Sequence, residues 1–159
     1  MKNQSLNILF TTGEEDFWGR LIYKNEKSVQ FIEVDGVPHY ITKDYGEPIS
    51  PLKNYIILED ISNKIAIQTS DLFARKCSFS NQGINIGFVF CNGDFYCKTK
   101  AKAKDLCLEN GYTSLDDAYK DEYYYYTSWE DIDLEEEGIG YDKNGNEYHF
   151  YQNKWYRLV

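Results

Sequence analysis

A chain of 159 residues, 42% apolar and 17% aromatic, is long enough for one hydrophobic core and short for two full-sized domains. Its net charge of −9, from 26 acidic and 17 basic residues, argues against direct nucleic-acid binding, which needs clustered Lys and Arg to meet phosphates. No run approaches the roughly 18 consecutive apolar residues of a bilayer span, and residues 1–10 lack the continuous apolar stretch of a secretory leader, so a cytoplasmic protein away from membranes is expected.

Residues 6–11, 17–23, 29–34 and 37–42 are short apolar, aromatic or β-branched runs, and Asp35-Gly36 between the last two is a hairpin signal, so the chain should open with a meander. Pro38, Pro48 and Pro51 fall close together and mark 45–53 as a surface loop or edge connection. Residues 55–58 and 65–69 read as two further strands around a turn at Ser62-Asn63, and 71–76 as one helical turn. Residues 84–91 and 94–98 form a second hairpin about Asn92-Gly93, which sets Phe88 opposite Cys97. Cys91 and Cys97 would then lie on opposite faces of the ribbon, unable to bond to each other. The four cysteines, Cys77, Cys91, Cys97 and Cys107, lack zinc-finger spacing and are expected to be buried thiols.

After this hairpin the hydrophobic period changes. Thr99 is a candidate N-cap, 100–110 contains good helix formers, and Gly111 is placed to end the helix in a left-handed cap, with Ala103, Leu106 and Cys107 facing inward. Ser114 with Asp117 resembles a capping box, and Leu115, Ala118, Tyr119, Glu122, Tyr123 and Tyr126 recur at helical spacing, which predicts a second helix over 114–126. From Ile139 onward strand signals return, with Asn144-Gly145 as a hairpin turn and 152–154 as a looser one. The expected fold class is therefore α+β: mainly antiparallel meanders and hairpins, with two short helices, about 99–110 and 114–126, packed on the sheet. A single domain over 1–159 is expected, divisible into a β-rich lobe, 1–76, and a lobe of hairpin, helix pair and C-terminal meander, 77–159.

The charge is distributed unevenly. Residues 105–137 carry 12 acids against one base, Lys120, for a local charge of −11, which leaves +2 for the rest of the chain. Such a block is commonly a solvated face. Interleaved tyrosines and Trp129 point further, because interface centres favour Tyr and Trp, and clustered carboxylates steer basic partners. The alternating Lys98, Lys100, Lys102 and Lys104 would be spread around a helix and make a poor phosphate site.

Asp131, Asp133 and Glu135 imitate the start of a calcium loop, but Glu136 stands where that loop needs Gly and Asp142 where it needs Glu, so no metal or other cofactor is expected. His39 and His149 have no local Cys-His signature and read as strand side chains.

These readings imply a non-enzymatic binding protein of the inhibitor kind, as immunity proteins or phage-borne anti-nuclease proteins are, which engages a basic protein such as a nuclease. Asp116, Asp121, Glu130, Asp131 and Asp133 would supply the field, and Tyr123, Tyr125 and Trp129 the anchors. Abundant Lys, Asn, Ile, Tyr and Phe, all with AT-rich codons, fit a bacterial, phage or other mobile-element origin. The alternatives are a small hydrolase with paired carboxylates in an acidic cleft and an assembly subunit of a mobile element.

Overall fold

The computed structural model describes residues 6–60, 67–90 and 95–159. Two compact units emerge, one formed by Met1–Ala66 with Tyr156–Val159 and the other by Ile67–Trp155.

In the first unit, the strands β1 (Asn7–Glu15), β2 (Leu21–Asn25), β3 (Gln30–Val34), β4 (Val37–Ile41) and β5 (Pro48–Pro51) follow one another as an antiparallel meander. Asp35 and Gly36 both take positive φ, as the tight hairpin between β3 and β4 requires. β6 (Tyr55–Glu59) departs from the expected antiparallel pattern and pairs in parallel with β1, Leu9 opposite Ile57. Only Leu52, Lys53 and Asn54 separate β5 from β6. In a flat sheet these two strands would lie about 24 Å apart, at roughly 4.8 Å per strand, farther than such a link reaches at about 3.5 Å per residue. The sheet therefore curls, and Leu52 in the link joins Leu9, Tyr23 and Phe31 in the core.

Two local expectations change in this unit. Residues 45–53 were expected as a loop or edge connection, and their strand β5 is an exposed edge with proline at each end, which blunts it against strand addition. Phe17 and Trp18, expected within a strand, instead stand on a turn. Asp16 accepts the backbone N–H of Trp18 (2.9 Å) and of Arg20 (2.8 Å) and pairs with the Arg20 guanidinium (2.7 Å). This local bonding competes with the ladder and ends it early.

The second unit opens with a 3₁₀ turn (Thr69–Asp71), so the helical turn expected over 71–76 lies earlier, and 75–76 form a short strand. The strand expected over 65–69 falls partly outside the described residues, as do the turns at Ser62-Asn63 and Asn92-Gly93 and the position of Cys91; Ile67 and Gln68 are not in a strand. β7 (Arg75–Lys76) pairs with β8 (Gly83–Ile84). β9 (Ile86–Phe90) is the centre of a three-stranded antiparallel sheet, with β10 (Phe95–Cys97) on one side. Cys97 lies opposite Phe88, the register the hairpin predicts.

Helix α1 (Lys100–Glu109) starts at Thr99, whose side chain accepts the Lys102 N–H. It ends with Gly111 at φ +89° and the Tyr112 N–H bonded to the Cys107 carbonyl (3.0 Å), the left-handed cap expected there.

Helix α2 is shorter than predicted. It covers Leu115–Lys120, capped by Ser114 on the Asp117 N–H (3.1 Å), and the chain then becomes β11 (Tyr124–Ser128), the other outer strand of the sheet. Glu122 turns into the left-handed region (φ +56°), and the N–H groups of Glu122 and Tyr123 bond back to the carbonyls of Tyr119 and Ala118, both at 3.0 Å. The helical spacing of the tyrosines loses to their preference for a pleated strand and to the ladder that β9 offers. Ala103, Cys107 and Ala118 from the two helices pack with Phe90 and Cys97 of the sheet, so the helices do lie on it.

A third helix, α3 (Leu134–Glu137), begins at Asp133 and precedes β12 (Ile139–Tyr141) and β13 (Glu147–Tyr151). The turn between these strands runs from Asp142 to Asn146, and Gly145 is essential to it. A Cβ there would lie 1.4 Å from the Asn81 carbonyl oxygen, on a backbone with φ +89°. Gln152 and Asn153, expected as the looser turn, are the tight one, both with positive φ, leading into β14 (Lys154–Leu158). The last residues of β14 belong to the first unit, where Arg157 forms an ion pair with Glu59 of β6.

Candidate functional site

The acidic segment of the second unit is built around β11. Its register with β9 sets Tyr124 opposite Phe90, Tyr125 opposite Val89 and Tyr126 opposite Phe88. Alternation sends Tyr124 and Tyr126 to one face and Tyr125 to the other. Tyr124 packs between the Phe88 and Phe90 rings, at 5.7 and 5.6 Å. Burial, with the Cys107 thiol and the Asp116 carboxylate nearby, raises its phenol above the usual value. Tyr126 leans edge-on against Phe88 (4.9 Å) yet keeps 60% of its surface exposed; Tyr125 and Tyr119 are 55% and 59% exposed. Tyr119, Lys120, Glu122, Tyr124 and Tyr125 line an open recess of about 520 Å³.

The predicted anchors separate by environment. Tyr125 is exposed as an anchor must be, whereas Tyr123 is half-buried, its ring 4.9 Å from Tyr112 and 5.8 Å from Phe90. Trp129, expected at the surface, is 92% buried: its exposure is 8%. The Tyr96 ring meets it edge-on at 5.7 Å, and its backbone N–H donates to the Asn85 carbonyl at 2.6 Å. Sequence reasoning placed it among acids and could not see that the loop folds its indole inward. The same reasoning assigned Tyr119 and Tyr126 to an aromatic helix face and so missed that both are presented to solvent.

The acids also divide. Asp116, Glu130 and Asp131 are exposed, and among the described residues no ion pair engages them. Asp121 accepts the Tyr112 hydroxyl at 2.5 Å. Asp133 caps α3, its Oδ1 accepting the N–H groups of Glu135 (3.1 Å) and Glu136 (3.4 Å). It lines a groove of about 450 Å³ with Thr69, Asn85, Trp129 and Glu130, where a hydrolase would need two converging carboxylates. The capping bonds turn one oxygen of Asp133 toward the helix, a structural role.

Among the described residues no group of three or more His, Cys, Asp or Glu side chains converges as a metal would require. His149 bonds to Glu147 on its own strand (2.8 Å), and His39 Nδ1 lies 2.8 Å from the Val37 carbonyl. Asp142 is held below the usual carboxylate range: burial opposes this, and Asn144, Asn146 and Tyr148 overcome it by donating to the carboxylate. That group organises a turn. Among the described residues no helix is long and apolar enough to cross a membrane.

Glu122, in the wall of the recess that Tyr119 and Tyr125 line, reverses the chain between α2 and β11. An L-residue in the left-handed region costs about 1–2 kcal/mol, which glycine avoids at an entropic cost of about 0.5–1 kcal/mol. Glu122→Gly is therefore expected to raise unfolding stability by about 0.5–1 kcal/mol. A urea titration with unchanged slope checks this, and a loss of stability would mean that the Glu122 side chain makes a stabilising contact.

No protein-family model, curated protein or solved structure matches the chain.

Proposed function

We propose that the chain is a non-enzymatic binding protein whose second unit lays β11 and its flanking loops against a basic protein surface, in the manner of an immunity or anti-nuclease inhibitor. The observation that carries this reading is the exposure, along the outer strand β11, of Tyr125 and Tyr126, one on each face, with exposed Tyr119 and the exposed carboxylates Asp116, Glu122, Glu130 and Asp131 in the segments that flank the strand. Exposed tyrosines offer large contact area at low rotamer cost. The carboxylates give such an edge a field of one sign, which accelerates encounter with a cationic partner and rejects acidic ones. In this reading Tyr126 joins Tyr125 as an anchor in place of Trp129, and Asp121 and Asp133 contribute charge while holding their own loops.

Since both tyrosines are more than half exposed, Tyr125→Ala and Tyr126→Ala should change unfolding stability by no more than about 0.5 kcal/mol. Each should weaken partner binding about tenfold, the level of an interface residue worth more than 1 kcal/mol. Titration calorimetry on the variants, set beside their urea melts, makes the comparison. Full affinity in both variants would remove β11 from the interface.

A further inference from the structure

The second unit has another recess, formed by different residues. After β7 the chain reverses between Cys77 and Gln82, with the Cys77 N–H on the Gln82 carbonyl (2.9 Å) and the Asn81 N–H on the Cys77 carbonyl (3.1 Å). The same segment runs beside β10. The Ser78 N–H donates to the Tyr96 carbonyl at 2.7 Å, and the Tyr96 N–H donates to Ser78 Oγ at 3.0 Å. Carried one residue further in the antiparallel sense, this contact brings Cys77 opposite Cys97, and Cys77 is among the groups near enough to act on the Cys97 thiol. Both are buried, Cys77 2% and Cys97 0% exposed, and both line a recess of about 450 Å³ together with Phe79, Ser80, Lys98 and Lys102, from which a small oxidant would have to reach them. Opposed residues of antiparallel segments have Cα atoms about 4.5–5.5 Å apart, inside the roughly 4.4–6.8 Å that a disulfide spans.

The two thiols differ in chemistry. Burial opposes ionisation of Cys77, but the Ser80 hydroxyl and the backbone N–H groups of Ser80, Phe79 and Lys98 are directed at its sulfur and hold the thiol below its ordinary value. Burial dominates at Cys97 and raises it. The cations stand close: Lys98 Nζ reaches Gln82 Oε1 at 3.3 Å, and Lys102 Nζ lies 4.8 Å over the Phe79 ring. Cys107, the other described thiol near Cys97, belongs to the helix core and is not part of the recess wall.

We propose that Cys77 and Cys97 form a peroxide-reactive pair, Cys77 as the attacking thiolate and Cys97 as the resolving thiol, which closes to a disulfide across the recess. The Cys77 sulfur attacks one oxygen of hydrogen peroxide; the S–O bond forms, the O–O bond breaks, and the departing hydroxide takes a proton to leave as water. Cys77 is thereby oxidised by two electrons to a sulfenic acid and the peroxide is reduced. The Cys97 sulfur then attacks that of Cys77, the S–S bond forms, the S–O bond breaks, and the released hydroxide leaves with the Cys97 proton as a second water. Two thiols and one peroxide become one disulfide and two waters. A thiol reductant reverses the product, so the loop 77–82 is tethered to β10 only under oxidising conditions.

The test treats the reduced full-length protein with hydrogen peroxide, quenches it, digests it without reduction and maps the peptides by mass spectrometry. A Cys77–Cys97 crosslink that dithiothreitol removes is expected. In Cys97→Ala the reaction should stop at a sulfenic acid on Cys77, trapped by dimedone, and Cys77→Ala should give neither product. Where a variant fails to fold, the wild-type protein still decides, because brief iodoacetamide treatment at neutral pH should label Cys77 about tenfold faster than Cys97 or Cys107. A Cys97–Cys107 crosslink, first reaction at another thiol, or labelling of Cys77 no faster than of the helix thiol would overturn the proposal.

Discussion

Replacing Trp129 with alanine is expected to lower unfolding stability by about 3–5 kcal/mol, the usual cost of emptying an aromatic site in a core. The indole is only 8% exposed, meets the Tyr96 ring edge-on and lines a groove with Leu72, Ala74 and Leu134, themselves buried. Its loss would leave a void at the point where β11 hands over to α3, since the backbone of Trp129 is tied to Asn85. Urea unfolding followed by circular dichroism reads this directly. A cost below about 1 kcal/mol is what an exposed side chain gives, and would return Trp129 to the surface as an interface anchor.

Reversing Glu130 and Asp131 to lysine together should slow association with the basic partner about tenfold to hundredfold at low ionic strength, with the difference shrinking as salt is raised. These two are the cleaner choices because, though Asp133 is exposed as they are, Asp133→Lys would also remove the α3 cap and cost about 1 kcal/mol of stability. The dissociation rate should change much less than the association rate, as for rim charges generally. Stopped-flow association measured across a salt series separates the two rates. Equal association rates for the double variant and the parent at low salt would remove the electrostatic half of the proposal.

Much of the fold was legible where local chemistry and tertiary structure agree. The hairpin at Asp35-Gly36, the Phe88–Cys97 register and α1 between Thr99 and Gly111 all follow from turn residues, alternation and caps. Legibility failed where distant pairing decided the outcome. The tyrosines after Lys120 fit a helical period as well as an alternating one, and only the presence of β9 as a partner selects the strand. The parallel pairing of β6 with β1 depends on the curl of the whole sheet, which no window of sequence contains. At the candidate site, the charge block and Tyr125 could be read directly. The burial of Trp129 could not, because an aromatic beside acids looks the same whether its ring turns in or out. The approach of Cys77 to Cys97 was equally hidden, since it depends on the hydrogen bonds between Ser78 in the turn at 77–82 and Tyr96 of β10.

The central claim is that the β11 edge of the second unit, with its tyrosines and flanking carboxylates, engages a basic protein. Its most direct test is a paired affinity capture from cells that naturally encode the chain. Wild-type protein and a Tyr125→Ala, Glu130→Lys, Asp131→Lys variant, first verified to be equally folded, are used side by side at low and high salt. The account predicts a basic protein retained by the wild type at low salt, released at high salt and absent from the variant. The same proteins on both baits, or none on either, would contradict it.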